Sequence, residues 1–129
     1  MSIRLQSDYP AGVSQPTAVA VICGSRSDLG TLKGCFDVLD SYRIGWEASV
    51  ISAHRQADAL HDYIATAEQK GVQLFIGAAG LAAHLPGVIA SLTARPVIGI
   101  PLDGGALGGA DALYSVVQMP PKTNTERHE

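Results

Sequence analysis

An α/β domain built around a parallel sheet is what this chain of 129 residues predicts. Three observations lead there. Apolar, often β-branched runs recur along the chain, and amphipathic stretches of helical spacing lie between them. That alternation is what right-handed crossovers between parallel strands require. The first strand-like run is apolar at successive positions, as suits a strand covered on both faces. Short polar loops follow the first three runs, and in a parallel sheet such loops gather along one edge.

Taken in order, residues 1–16 carry Pro10, Gly12 and Pro16 without periodicity and read as a flexible leader. Thr17–Cys23 (TAVAVIC) is the first strand, followed by a helix with Leu29, Leu32, Phe36 and Leu39 on one face. Trp46–Ile51 is the second strand. The second helix runs from Ala57 to Lys70, turns Leu60, Tyr63, Ile64 and Ala67 inward, and stops at Gly71. Val72–Ile76 makes a third strand, Ala82–Thr93 a third helix, Pro96–Ile100 a fourth strand and Asp111–Val117 a short fourth helix. The expected topology is a flavodoxin-like three-layer sandwich, a single α/β domain over 17–120. Residues 121–129 read as a polar, disordered tail. A fifth apolar strand and a closing helix are missing after Pro121, so the fold is expected to be C-terminally truncated.

Composition narrows the function. A hydrophobic share of 47% against 16% charged residues describes a packed globule rather than a disordered chain. The net charge of −3, with no Lys/Arg cluster, gives no electrostatic footprint for nucleic acid. Apolar stretches are strand-length and broken by Gly and Pro, which argues against a membrane span, and no signal peptide is apparent. Cys23 and Cys35 lack metal-ligand spacing and read as free thiols of a reducing compartment, the cytoplasm.

Chemistry concentrates in the loops. In Gly24-Ser25-Arg26-Ser27-Asp28, hydroxyls stand at a helix start, where free N–H groups favour an anion, although Ser and Asp there also serve as caps. Ser52-Ala53-His54-Arg55 sets a residue that can give and take a proton beside one whose planar fork suits phosphate. The third loop, Gly80–Gly87, is small enough for backbone to approach a ligand, and its His84 suits packing or hydrogen bonding. Asp103–Gly109 (DGGALGG) has the composition of a mobile lid or a close-fitting wall. His61 and His128 are not site candidates, and no His/carboxylate pair has metal-ligand spacing.

GSRSD, SAHR, AAHLPG, PVIGIP and DALYSVVQMP, in this order across Val19 to Pro120, resemble the phosphoribosylaminoimidazole carboxylase catalytic subunit, in its class I or N5-carboxyaminoimidazole ribonucleotide mutase form. The resemblance implies an isomerase of purine biosynthesis that interconverts N5-carboxyaminoimidazole ribonucleotide and its 4-carboxy isomer without metal or organic cofactor. It implies His54 as the catalytic proton shuttle. Ser25, Ser27 and Asp28 would hold the nucleotide, with Asp28 on the ribose hydroxyls and Ser27 near the phosphate. Ser52 joins His54 in the catalytic loop, and Arg55 would bind phosphate. Gly80 and Leu85 would lie against the base and the migrating carboxylate. A homo-oligomer, an octamer in the family, is the implied assembly.

Other readings are a catalytically weak paralogue that binds a nucleotide or a partner protein, and a class II carboxylase taking carbon dioxide directly. Arg55, in place of the lysine usual in class II, favours the mutase. Departures from the family pattern are Ala78 and Leu81 at usual glycines, and Gln56-Ala57 at the usual Thr-Pro. The last removes a good helix cap and a first-turn proline.

Overall fold

The computed structural model describes residues 4–6, 16–80 and 84–102. Strands β1 (Arg4–Gln6), β2 (Thr17–Cys23), β3 (Gly45–Val50), β4 (Leu74–Ala79) and β5 (Val97–Pro101) form one sheet in the order β1-β3-β2-β4-β5. Four of them run parallel, as the alternating sequence predicts. β1 does not fit the expected flexible leader: it pairs antiparallel with the outer side of β3, Leu5 opposite Ala48. Three residues are too few for a period to show, so the sequence pattern could not reveal this strand.

Helices α1 (Asp28–Thr31), α2 (Lys33–Ser41), α3 (Ala57–Gln69) and α4 (Leu85–Leu92) fill the crossovers. The single first helix expected from the spacing is divided at Leu32, which is buried while all four residues of α1 escape full burial. α3 ends as expected. Gly71 takes φ +101°, the Gly71 N–H donates to the Glu68 carbonyl at 3.1 Å, and the Val72 N–H reaches Ala67 at 3.0 Å, the paired bonds of a Schellman stop. α2 ends the same way on Arg43, at φ 56°, without the glycine that makes this conformation easy. The expected helix at Asp111–Val117, the glycine-rich Asp103–Gly109 loop and the polar tail lie outside the described residues.

Two apolar layers clamp the sheet. On one side Ala20, Ile22 and Phe75 meet Leu60, Tyr63 and Ile64 of α3 and Ile89 of α4. On the other, Val21, Ala48 and Ile76 meet Leu32, Phe36 and Leu39. Phe36 stacks flat on Trp46 at 4.2 Å, and the indole N–H donates to Asp40 Oδ1 at 2.8 Å. Each fully buried Val, Leu, Ile or Phe side chain in these layers contributes about 1.5–3 kcal/mol of transfer free energy. The result is a rigid floor with β2 at its centre, so the loop after β2 stands between those after β3 and β4.

Candidate active site

The loop after β2 is a tight turn. Asp28 N–H donates to the Ser25 carbonyl at 3.1 Å and Leu29 N–H to the Arg26 carbonyl at 3.2 Å. The hydroxyls of Ser25 and Ser27 lie 2.9 Å apart, and Ser27 N–H reaches the Ser25 hydroxyl at 3.4 Å. Partial burial raises the Asp28 pKa, although a hydrogen bond with the Ser25 backbone works against it. Cys23 lies beneath. Its Sγ–H points to the carbonyls of Ser25 at 3.5 Å and Ser49 at 3.9 Å. Burial first, then the nearby Asp28, push the Cys23 thiol up to about 11, so it stays protonated at neutral pH and acts as packing.

The loop after β3 is pinned at both ends. Ile51 N–H donates to the Cys23 carbonyl at 2.9 Å, carrying the pairing with β2 one residue past β3. Gln56 N–H then closes on the Ser52 carbonyl at 2.9 Å, and Arg55 N–H approaches the Ser52 hydroxyl at 3.4 Å. Gln56 is the N-cap of α3, and its side chain makes no capping bond to the helix, in line with the poor cap expected there. It turns back instead. Its Oε1 accepts the Ser52 N–H at 3.2 Å, so a residue that caps poorly fastens the loop.

β4 delivers the third loop. Gly80 is half-buried at its end, residues 81–83 lie outside the description, and His84 and Leu85 open α4. α4 sits low on the sheet because Gly77 has no side chain. A Cβ there would meet Ile89 Cδ1 at 2.9 Å and Pro86 Cα at 3.1 Å. Leu85 is buried in the core beside Ile89, so its side chain serves packing. The rings of His54 and His84 meet edge to face, their centroids 5.4 Å apart.

A cavity of about 470 Å³ opens between the first two loops, lined by Gly24, Ser25, Arg26, Val50, Ser52, Arg55 and Gln56. Of the residues expected from sequence it brings together Ser25, Ser52 and Arg55. Ser27, Asp28, His54, Gly80 and Leu85 are not in its lining, and His54 instead faces the third loop through His84. Arg26 and Gln56 join the wall without having been given a role from sequence. The signal for Gln56 was its spacing, four residues past Ser52, which lets a side chain reach back across one turn. Two guanidinium groups line this wall, and among the described residues neither has a carboxylate within ion-pair distance. Also among the described residues, no group of three His, Cys, Asp or Glu side chains could hold a metal ion, and no helix is long and apolar enough to cross a membrane.

Residues 18–126 match the family described as AIR carboxylase. The chain belongs to that family. It is 52% identical over 103 residues to the N5-carboxyaminoimidazole ribonucleotide mutase of Pyrococcus abyssi, covering 80% of this chain and 59% of that protein. The mutase of Vibrio cholerae is 47% identical over 102 residues, covering 79% and 63%. The crystal structure of Treponema denticola PurE superposes with a TM-score of 0.74 at 27% identity, covering 81% of this chain and 66% of that one. The chain therefore spans about three fifths of the length of these curated mutases.

Proposed function

We propose that this AIR carboxylase family chain is an isomerase of purine biosynthesis, moving a carboxyl group between nitrogen and carbon of an aminoimidazole ribonucleotide. The observation that carries the reading is the divergence of two adjacent side chains. Arg55 lines a cavity with a second arginine, Arg26, neither paired with a carboxylate among the described residues, and His54 lies outside that lining with its ring against His84 of the third loop. The cavity suits the phosphate, because a guanidinium grips a phosphate through paired N–H donors. Ser25 and Ser52 complete its polar wall, while Ser27 and Asp28, farther along the loop of Ser25 and outside the lining, suit the phosphate edge and the ribose hydroxyls. The base then extends toward His54, Gly80 and the loop ahead of Leu85.

In this reading His54 protonates the carbamate nitrogen of N5-carboxyaminoimidazole ribonucleotide as the N–C bond to the carboxylate breaks and carbon dioxide leaves. The ring carbon, made electron-rich by the amino group, attacks carbon dioxide and forms the new C–C bond. The same carbon then returns its proton to the histidine, which restores the aromatic ring. One imidazole serves both transfers, so the proton account closes without a cofactor. The reading includes a cytoplasmic homo-oligomer.

The test is incubation of the full chain with N5-carboxyaminoimidazole ribonucleotide, following the 4-carboxy isomer. Formation of the isomer without added bicarbonate is the expected result. No conversion by a folded, assembled protein would point to a nucleotide-binding paralogue. Carboxylation of aminoimidazole ribonucleotide only with bicarbonate would point to a direct carboxylase.

A further inference from the structure

We infer that Gln56 is a ligand-binding residue of the cavity, its side-chain amide donating to the anionic end of the ribonucleotide beside Arg26 and Arg55. The inference rests on the reading of this cavity as the phosphate end of the site. Its starting point is the hydrogen bond from Ser52 N–H to Gln56 Oε1 at 3.2 Å. A backbone N–H can bond only the oxygen of a carboxamide, so this contact fixes which way the planar group faces. The nitrogen on the other branch keeps two N–H donors, and among the described residues no acceptor engages them. Gln56 is half-buried and lines the cavity together with both guanidinium groups.

The wall as a whole points to one class of occupant. Arg26, Arg55 and the Gln56 amide nitrogen can only donate, and the hydroxyls of Ser25 and Ser52 can donate too. Among the described residues no carboxylate lines this space. A phosphate monoester brings three strong acceptor oxygens and up to two negative charges. Two cations match the charge, and a neutral amide supplies a further hydrogen bond without adding a third positive group. The same side chain thus has two tasks. Its oxygen holds the turn that carries His54 and Arg55, and its nitrogen faces what the turn binds.

Gln56→Glu and Gln56→Ala separate the two tasks. The first keeps an acceptor for Ser52 N–H and replaces the donors with a negative charge; the second removes both. Neither touches the backbone bond from Leu60 N–H to the Gln56 carbonyl, 2.9 Å, that starts α3. Affinities of the full-length variants for 5-aminoimidazole ribonucleotide and for its ribonucleoside are measured by calorimetry. Gln56→Glu is expected to weaken the ribonucleotide by about tenfold or more while leaving the ribonucleoside unchanged, because a donor has become a repelling charge. Gln56→Ala is expected to weaken the ribonucleotide less, by about threefold to tenfold. Ribonucleotide binding by Gln56→Glu within about twofold of wild type overturns the inference. So do equal losses for both ligands, the signature of a loosened loop alone. Arg55→Ala tests the underlying reading separately. If it leaves ribonucleotide affinity unchanged, the cavity is not the phosphate end and Gln56 falls with it; if it weakens binding and Gln56→Glu does not, only the assignment of Gln56 falls.

Discussion

In the middle of β3, opposite Ala20 at the centre of β2, Glu47 is only 1% exposed. Both of its oxygens are engaged, Oε1 by the Tyr63 hydroxyl at 2.7 Å and Oε2 by Lys70 Nζ at 3.7 Å. At the carboxyl end, Arg26 and Arg55 line an open cavity, and among the described residues no carboxylate pairs with either. A buried charge costs several kcal/mol unless its partner is built in, so the protein supplies that partner where the carboxylate is dry. Where the charges stay wet, their partner can be left for a ligand to bring. Charge in this molecule is therefore partnered from within where it is buried, and left open to solvent along the carboxyl edge.

Four substitutions put that contrast under strain, in descending order of effect. His54→Asn is expected to reduce isomerisation by at least about 10²–10⁴-fold, the usual worth of a general acid–base group, with ribonucleotide affinity retained. A wild-type rate would remove His54 from the mechanism. Glu47→Ala is expected to cost about 2–4 kcal/mol in a urea titration, since a cavity opens and Tyr63 loses an acceptor. A loss below about 0.5 kcal/mol would mean that Glu47 is not part of the cohesive set. Arg55→Ala is expected to leave stability nearly unchanged and to weaken the ribonucleotide by about 1.5–3 kcal/mol. Equal wild-type affinity for ribonucleotide and ribonucleoside would contradict it.

Asp28→Asn is the smallest and most diagnostic. Burial raises the Asp28 pKa in the folded protein, so the native state holds this proton more tightly than the unfolded chain does. The stability so gained is full below the ordinary aspartate range and is lost as pH rises through the folded value. Asparagine has no charge to lose. The variant should melt slightly higher than wild type at pH 7, and the gap should close near pH 3, below the ordinary carboxylate pKa. A variant that melts lower at pH 7 would show that the ionised carboxylate holds the fold together. With Asp28 on the ribose hydroxyls, as proposed, ligand affinity should fall in the same variant.

The strands and the inward face of α3 were legible because they obey a period: Leu60, Tyr63, Ile64 and Ala67 all proved buried. So was the Gly71 stop, because a left-handed residue after a helix is a local requirement. The break at Leu32 was not legible, since its apolar spacing continues unbroken across both helices. β1 was invisible because a three-residue strand shows no pattern of its own and exists through its pairing with β3. In the site, residue types announced themselves while their grouping did not. Neighbours in sequence, His54 and Arg55, look outward to different places, and Gln56 reads as a poor cap until its side chain is seen turned back on Ser52.

Gly77 has a consequence beyond packing. It is buried within β4, yet the missing methyl is what lets Pro86 and Ile89 settle onto that strand. That settling fixes the height of His84 above the sheet, and with it the 5.4 Å spacing to His54. A larger residue at 77 would lift α4 and part the two imidazoles without altering either. Efforts to retune the histidine pair thus have a handle in the interior of the sheet, where a search confined to the pocket rim would never look.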